Sequence, residues 1–336
     1  MHSEKMKAMV ATGYGSPEVL QLQAIEKPQP KSDEVLVKVM TASATTADTQ
    51  MRQGKPYISR LFLGLSKPNK AIPGTGFSGI VASVGDQVLN FKSGDRVFGG
   101  TFLDFGTNAE YLTIPENGVI LSMPENLSFT EAANFCDGHI TSLNFLKELA
   151  ALKKGQSVLI NGASGALGNA AVQIAKYLGA NVTAVCSGKN TGLVKSLGAD
   201  AVIDYQKEDF TKAKKTYDVI FDTVGKSSFR KCKGILSESG IYLSPVLKFS
   251  LMCQLISTSF IGKKRVLFQA TGTKSIAKLK SLLIELAEMY KKGKLKTVLD
   301  RQFPLEKLAQ AHKYIESGHK KGNIVIVNTK LFSHEL

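Results

Sequence analysis

The stretch VLINGASGALGNAAVQIAKYLGA, residues 158–180, decides the fold. It opens inside a buried strand, SVLIN (157–161), and closes on NAAVQIAKYLGA (169–180), whose apolar positions recur at helical spacing. Between the two stand Gly162, Gly165 and Gly168. Glycines at these intervals serve a tight turn, close approach of backbone to a diphosphate, and intimate contact of helix with strand. The first-turn amides of the helix are unpaired and lie at the positive end of its dipole, which favours phosphate groups. Such glycines alone are often only a turn. Here NVTAVC (181–186) supplies the second strand of a βαβ unit, and that context points to a bound dinucleotide.

Working outward, TGLVKSLGAD (191–200) is a helix ending at glycine, and AVIDY (201–205) and YDVIFDTVG (217–225) are further strands. The alternation predicts an α/β domain with a doubly wound parallel sheet. After the second strand, where a site for NAD presents Asp or Glu to the ribose hydroxyls, the chain has CSGKN (186–190). Ser187, Lys189 and Asn190 offer a cation and two hydrogen-bonding groups, which suit the 2′-phosphate of NADP(H). The alternative is a lysine that merely solvates a loop.

Ahead of this unit, EVLVKVMTAS (34–43), GIVASVG (79–85) and SGDRVFGG (93–100) read as short strands and turns of a β-barrel-like domain. Ser128, with Glu131 three residues on, is the N-cap of a helix running towards Ala151. Near the end, residues 275–295 carry Ile276, Leu279, Leu283, Leu286 and Tyr290 on one helical stripe, and GNIVIVN (322–328) is a closing strand. At 336 residues and 43% hydrophobic the chain is long enough for two cores. Cys136, Cys186, Cys232 and Cys253 lack the close spacing of metal or redox pairs, and the N-terminus lacks a signal-like apolar run, so a cytoplasmic location is expected. No run is long enough for a membrane span. The net charge of +15 is scattered rather than blocked, which favours a generally basic surface over specific nucleic-acid binding.

These residues, with GYGSPEVL (13–20), PGTGFSGIVASVGDQVLNFKSGDRVFG (73–99), AEYLTIP (109–115), SLGADAVIDY (196–205) and GHKKGNIVIV (318–327), give the chain its family. It resembles the medium-chain dehydrogenase/reductase superfamily, in its zinc-free, zeta-crystallin-like quinone-oxidoreductase branch. The resemblance implies a GroES-like substrate domain from both chain ends (1–127 and 273–336) around a Rossmann NADP-binding domain (128–272), an active site in the cleft between them, and a homodimer. It also implies that Ala163, Ser164, Gly165, Ala166, Leu167 and Gly168 hold the pyrophosphate and that Ser187, Lys189 and Tyr205 hold the 2′-phosphate. Val224, Leu243 and Phe268 then flank ribose and nicotinamide, with Thr141 near the nicotinamide end; core packing is the alternative for Tyr205, Val224 and Leu243. Zinc-dependent relatives carry a Cys early in the first domain and a His-Glu pair after PG. TASATTADTQ (41–50) and PGTGFSG (73–79) supply neither, so no metal is expected.

Without metal, a hydride passes directly to an apolar electrophile, a quinone or other activated alkene or carbonyl, and donors stabilise the oxyanion formed. Resembling proteins carry Asn, Asp, Tyr and Arg through one loop; here it has Thr45, Asp48, Gln50 and Arg52. Asp48 and Arg52 are expected to pair and fix the loop. His139 is a candidate proton donor if its ring faces substrate. Residues 243–271, apolar then basic, read as a helix serving as lid, subunit contact or membrane-surface patch. An enoyl-thioester reductase and a non-enzymatic NADPH- or RNA-binding protein are the rival functions.

Overall fold

Parallel pairing follows from the alternation around the glycine loop, and the computed structural model, which describes residues 4–328, contains it. The chain divides into two units, Met1–Asp137 with Gly272–Glu288 and Thr297–Leu336, and Gly138–Thr271 with Met289–Lys296. In the second unit, β1 (Ser157–Asn161), β2 (Asn181–Cys186), β3 (Ala201–Asp204), β4 (Tyr217–Asp222), β5 (Leu236–Leu243) and β6 (Arg265–Leu267) form a parallel sheet in the order β3-β2-β1-β4-β5-β6. Val158 in β1 pairs with Val182 on one side and Val219 on the other. A strand covered on both faces must be apolar throughout, and Val158, Leu159 and Ile160 are fully buried. Strand order reverses beside β1, so the loop after β1 lies at the point where such sheets bind ligands.

In the first unit, Glu34–Ala44 pairs antiparallel with Gly76–Val84, Tyr111–Pro115 and Asn323–Val327, which brings the C-terminal strand into the sheet begun near the N-terminus. Its core gathers Val35, Val37, Phe77, Val97, Ile120 and Ile324. The Phe129–Ala132 turn docks on this sheet. There Ser78 Oγ donates to Phe129 O at 2.6 Å, and Arg96 lies 4.9 Å from the Phe129 ring centroid. Met289–Lys296 belongs with the second unit, where the Gln173 side chain bonds both Lys296 N and Lys296 O.

The Ser128 cap forms as expected: its Oγ accepts from Glu131 N at 3.3 Å and donates to Glu131 Oε2 at 2.6 Å. Three helices depart from expectation. The one after the glycine loop spans Ala166–Tyr177 rather than 169–180, because Gly168 is inside its first turn and Gly179, with φ +82°, follows its end. The next stops at Ser196, before Gly198 at φ +104°. In Ile276–Lys291, Leu279, Leu283 and Leu286 are buried but Ile276 is exposed, so the apolar stripe starts a turn late.

Candidate cofactor and acceptor sites

The glycine loop is built for a ligand close to the backbone. A Cβ on Gly168 would stand 2.1 Å from Gly162 O, so only glycine lets the helix approach the β1 end. Gly162 has φ +80° and would meet Val224 with any side chain. Gly165 is the N-cap of the helix and no side chain caps it, which leaves the first-turn amides of Ala166 and Leu167 for an anion. Ser142 Oγ donates to Leu167 O at 2.9 Å, and this bond holds the Ile140–Leu143 helix, with half-buried Thr141, against the loop.

Beyond β2, Ser187 and Asn190 are buried and Lys189 is exposed. Asn190 Nδ2 donates to Ser164 Oγ at 3.0 Å and to Ser187 Oγ at 3.2 Å, so it ties the two loops together while Lys189 forms no ion pair among the described residues. A carboxylate missed in the sequence lies alongside: a Cβ on Gly188 would meet Asp204 Oδ2 at 2.5 Å. Asp204 is turned to the backbone, its Oδ1 accepting from Gln206 N at 3.1 Å. Tyr205 and Val224 are exposed, which removes the core alternative for both. Leu243 has no exposed surface, which favours the core alternative for it; Phe268 is half-buried against the core that holds Ile220, Tyr242 and Val266.

A second residue that the sequence did not single out organises this region. Asp222, fully buried at the end of β4, accepts from Asn161 Nδ2 (2.9 Å), Gly225 N (3.0 Å), Ser227 N (2.9 Å) and Tyr242 OH (2.9 Å). It joins the ends of β1, β4 and β5 and fixes the loop that carries Val224. Burial, and then the adjacent Asp222 carboxylate, push the Tyr242 hydroxyl far up.

The first unit holds a cavity of about 180 Å³, lined by Tyr14, Asp48, Met51, Leu63, Pro73 and Phe105 among others. Its wall is mainly apolar, and among the described residues Asp48 is the only carboxylate lining it. Thr45 and Asp48 form a reciprocal cap on Thr46–Arg52: Thr45 N and Thr45 Oγ1 each donate to Asp48 Oδ2 at 2.7 Å. Burial, and then the nearby Asp137 carboxylate, push Asp48 up to about 7 against the opposing pull of Thr45 and the Lys320 ammonium. Asp137 is raised too, chiefly by burial; Thr75 Oγ1 donates to its Oδ1 at 2.7 Å, and its Oδ2 is buried without a hydrogen-bond partner. Burial holds the half-buried Lys320 amine below its usual range.

One expected pairing is corrected here. Arg52 does not pair with Asp48: it bonds His312 Nδ1 at 3.2 Å, Gly15 O and Glu316, so it clamps the loop to the Leu308–Glu316 helix. Burial and the Arg52 charge depress the His312 imidazole to about 3. His139 has no exposed surface. Gln50 is exposed and outside the cavity lining.

Zinc, which relatives of this fold carry, does not match the donors present. The stretches corresponding to its ligands offer serine and threonine hydroxyls and one carboxylate, Asp48, and Thr45 and Thr75 are already bonded to Asp48 and Asp137. Among the described residues no three His, Cys, Asp or Glu side chains converge.

Comparison with known proteins agrees with this architecture. Residues 31–125 match the alcohol dehydrogenase GroES-like domain, and residues 197–326 match the zinc-binding dehydrogenase family. The chain is 33% identical to 2-methylene-furan-3-one reductase of Solanum lycopersicum, over 96% of this chain and 79% of that protein. It is 30% identical to the chloroplastic NADPH-dependent alkenal/one oxidoreductase of Arabidopsis thaliana, over 96% and 80%. The solved quinone oxidoreductase of Coxiella burnetii superposes with a TM-score of 0.84 at 28% identity, over 96% of this chain and 99% of that one. Matches in both units and relatives that run nearly its whole length place this chain in the medium-chain dehydrogenase/reductase superfamily, in the quinone-oxidoreductase branch.

Proposed function

We propose that this protein is an NADPH-dependent oxidoreductase that reduces quinones or activated alkenes and carbonyls by direct hydride transfer, with no metal in the step. The observation that carries the proposal is the uncapped helix N-terminus behind Gly162, Gly165 and Gly168, with the free ammonium of Lys189 on the turn after β2. The amides of Ala166 and Leu167 bind the pyrophosphate, and Lys189 with Ser187 binds the 2′-phosphate. When bound, NADPH supplies two electrons and one hydrogen nucleus as hydride to an electrophilic carbon or a quinone.

The mainly apolar cavity beside Asp48 takes the acceptor and excludes water from it. Reduction leaves an enolate or hydroquinone oxyanion, which needs one proton. Thr45 occupies Oδ2 of Asp48, so the proton resides on Oδ1 and passes from there to the acceptor oxygen; solvent then reprotonates Asp48. Thr45 and Arg52 act as positioning residues. A chloroplastic alkenal/one oxidoreductase among the relatives supports the acceptor class.

The four cysteines are unpaired, which fits the reducing cytoplasm read from the sequence, and no described helix is long and apolar enough to cross a membrane. The homodimer rests on the resemblance, and sedimentation in solution tests it. The function is tested by offering a quinone, a free enone and the corresponding enoyl thioester with NADPH and NADH side by side, in the presence of a chelator. Turnover of quinone or enone with NADPH is expected. Turnover of the thioester alone, or dependence on added zinc, refutes the reading.

A further inference from the structure

The helix Phe249–Phe260 has two faces that differ in kind. Leu251, Leu255 and Thr258 turn inward, and the first two join Val266 in the core of the second unit. Outward, Phe249 (82% exposed), Met252 (43%), Ile256 (65%) and Phe260 (84%) recur at one-turn spacing, with Ile261 (76%) directly after and exposed Cys253 on the same stripe. Large apolar side chains this exposed and this aligned mark a surface that meets another apolar phase.

Charge decides what that phase is. Residues 244–271 contain no Asp or Glu, while Lys248 stands at one end of the helix and Lys263, Lys264 and Arg265 at the other. Lys263 reaches Glu238 on a neighbouring strand, but both side chains remain largely exposed. A second copy packed on this stripe across a twofold axis would bring cationic ends towards one another with no acid on either helix to offset them. An anionic lipid surface complements them, and its acyl boundary takes the phenylalanines and isoleucines.

We propose that the Phe249–Phe260 helix is an in-plane membrane anchor, lying in the headgroup region of an anionic bilayer with Phe249, Met252, Ile256 and Phe260 inserted and Lys263 and Lys264 on the lipid phosphates. The helix lies on the membrane rather than spanning it, because twelve residues rise only about 18 Å. The inference is independent of the acceptor chemistry.

The test is flotation of the full chain with vesicles of phosphatidylcholine alone and of phosphatidylcholine with phosphatidylserine at about 3:1. The chain is expected to float with the mixed vesicles and scarcely with the neutral ones. The double variant Ile256→Glu/Phe260→Glu lowers binding roughly a hundredfold through lost apolar insertion, and Lys263→Glu/Lys264→Glu lowers it by about tenfold or more, with loss of the difference between the two lipids. All four positions are outside the cofactor and acceptor sites, so NADPH turnover with a water-soluble acceptor serves as the folding control. Failure to float with mixed vesicles, or flotation that both variants leave intact, overturns the proposal. It is also overturned if lipid-free sedimentation shows a dimer that Ile256→Glu/Phe260→Glu dissociates, since a second copy then covers the stripe.

Discussion

Replacing Asp48 with Asn separates the proton donor from the cap. Asn keeps a side-chain oxygen for Thr45 N, so the helix start at Thr46 survives, but it cannot hold or release the proton. Burial and the Asp137 carboxylate push Asp48 from an ordinary 3.8 up to about 7, which is worth roughly 4 kcal/mol between its two protonation states. Because the folded value is raised, the stabilisation from the protonated form is complete below the ordinary value of 3.8, declines as pH rises and is gone above about 7. Above that, the parent protein carries a buried carboxylate it must either tolerate or unfold to release. The parent is therefore expected to lose up to about 4 kcal/mol between about pH 4 and about pH 7 while the variant does not, measured by urea denaturation across that range. In turnover, the parent kcat falls as pH rises through about 7, and the variant loses that alkaline limb together with about a hundredfold of kcat. Asp137→Asn removes a neighbouring negative charge and moves the parent limb to lower pH; Lys320→Met moves it to higher pH. An Asp48→Asn enzyme with undiminished kcat and the same alkaline limb refutes the assignment of Asp48 as donor.

Lys189→Glu is expected to raise the KM for NADPH by about ten- to a hundredfold through loss of a charge-assisted contact. The KM for NADH should change little, and equal changes for the two cofactors contradict the 2′-phosphate site. Arg52→Ala removes the hydrogen bonds that hold the loop to His312 and Gly15 and is expected to cost about 1–3 kcal/mol of stability, read from the denaturation midpoint. If Arg52 only clamps the loop, the pH profile of the folded variant keeps the position of its alkaline limb.

The cofactor half of the molecule was legible in the sequence because its signals are local. The glycine spacing, the strand on each side and the Ser128 cap all act within a few residues, and the parallel sheet follows from their repetition. Boundaries were less legible: Gly168 reads as the end of a loop, yet it lies within the helix because close packing on Gly162 demands glycine there. The acceptor half depends on residues far apart in sequence. Nothing in TTADTQMRQG says that Arg52 reaches His312 and Glu316, or that Asp48 shares its environment with Asp137 and Lys320. Lys320 stands in GHKKGN, a stretch that marks the family without assigning the lysine a role. The carboxylate of Asp222 was hidden for a different reason, since an acid at the end of a buried strand reads as a turn residue until its partners on β1 and β5 are known.

The central claim is direct hydride transfer from NADPH to the acceptor carbon. It is tested most directly by supplying NADPH deuterated at nicotinamide C4 with a simple enone and locating the label by mass spectrometry and NMR. Direct transfer leaves one deuterium at the β-carbon of the saturated ketone from one of the two C4 epimers of the cofactor, and solvent hydrogen at the α-carbon. Absence of NADPH consumption with both quinone and enone, or label that appears only in water, contradicts it.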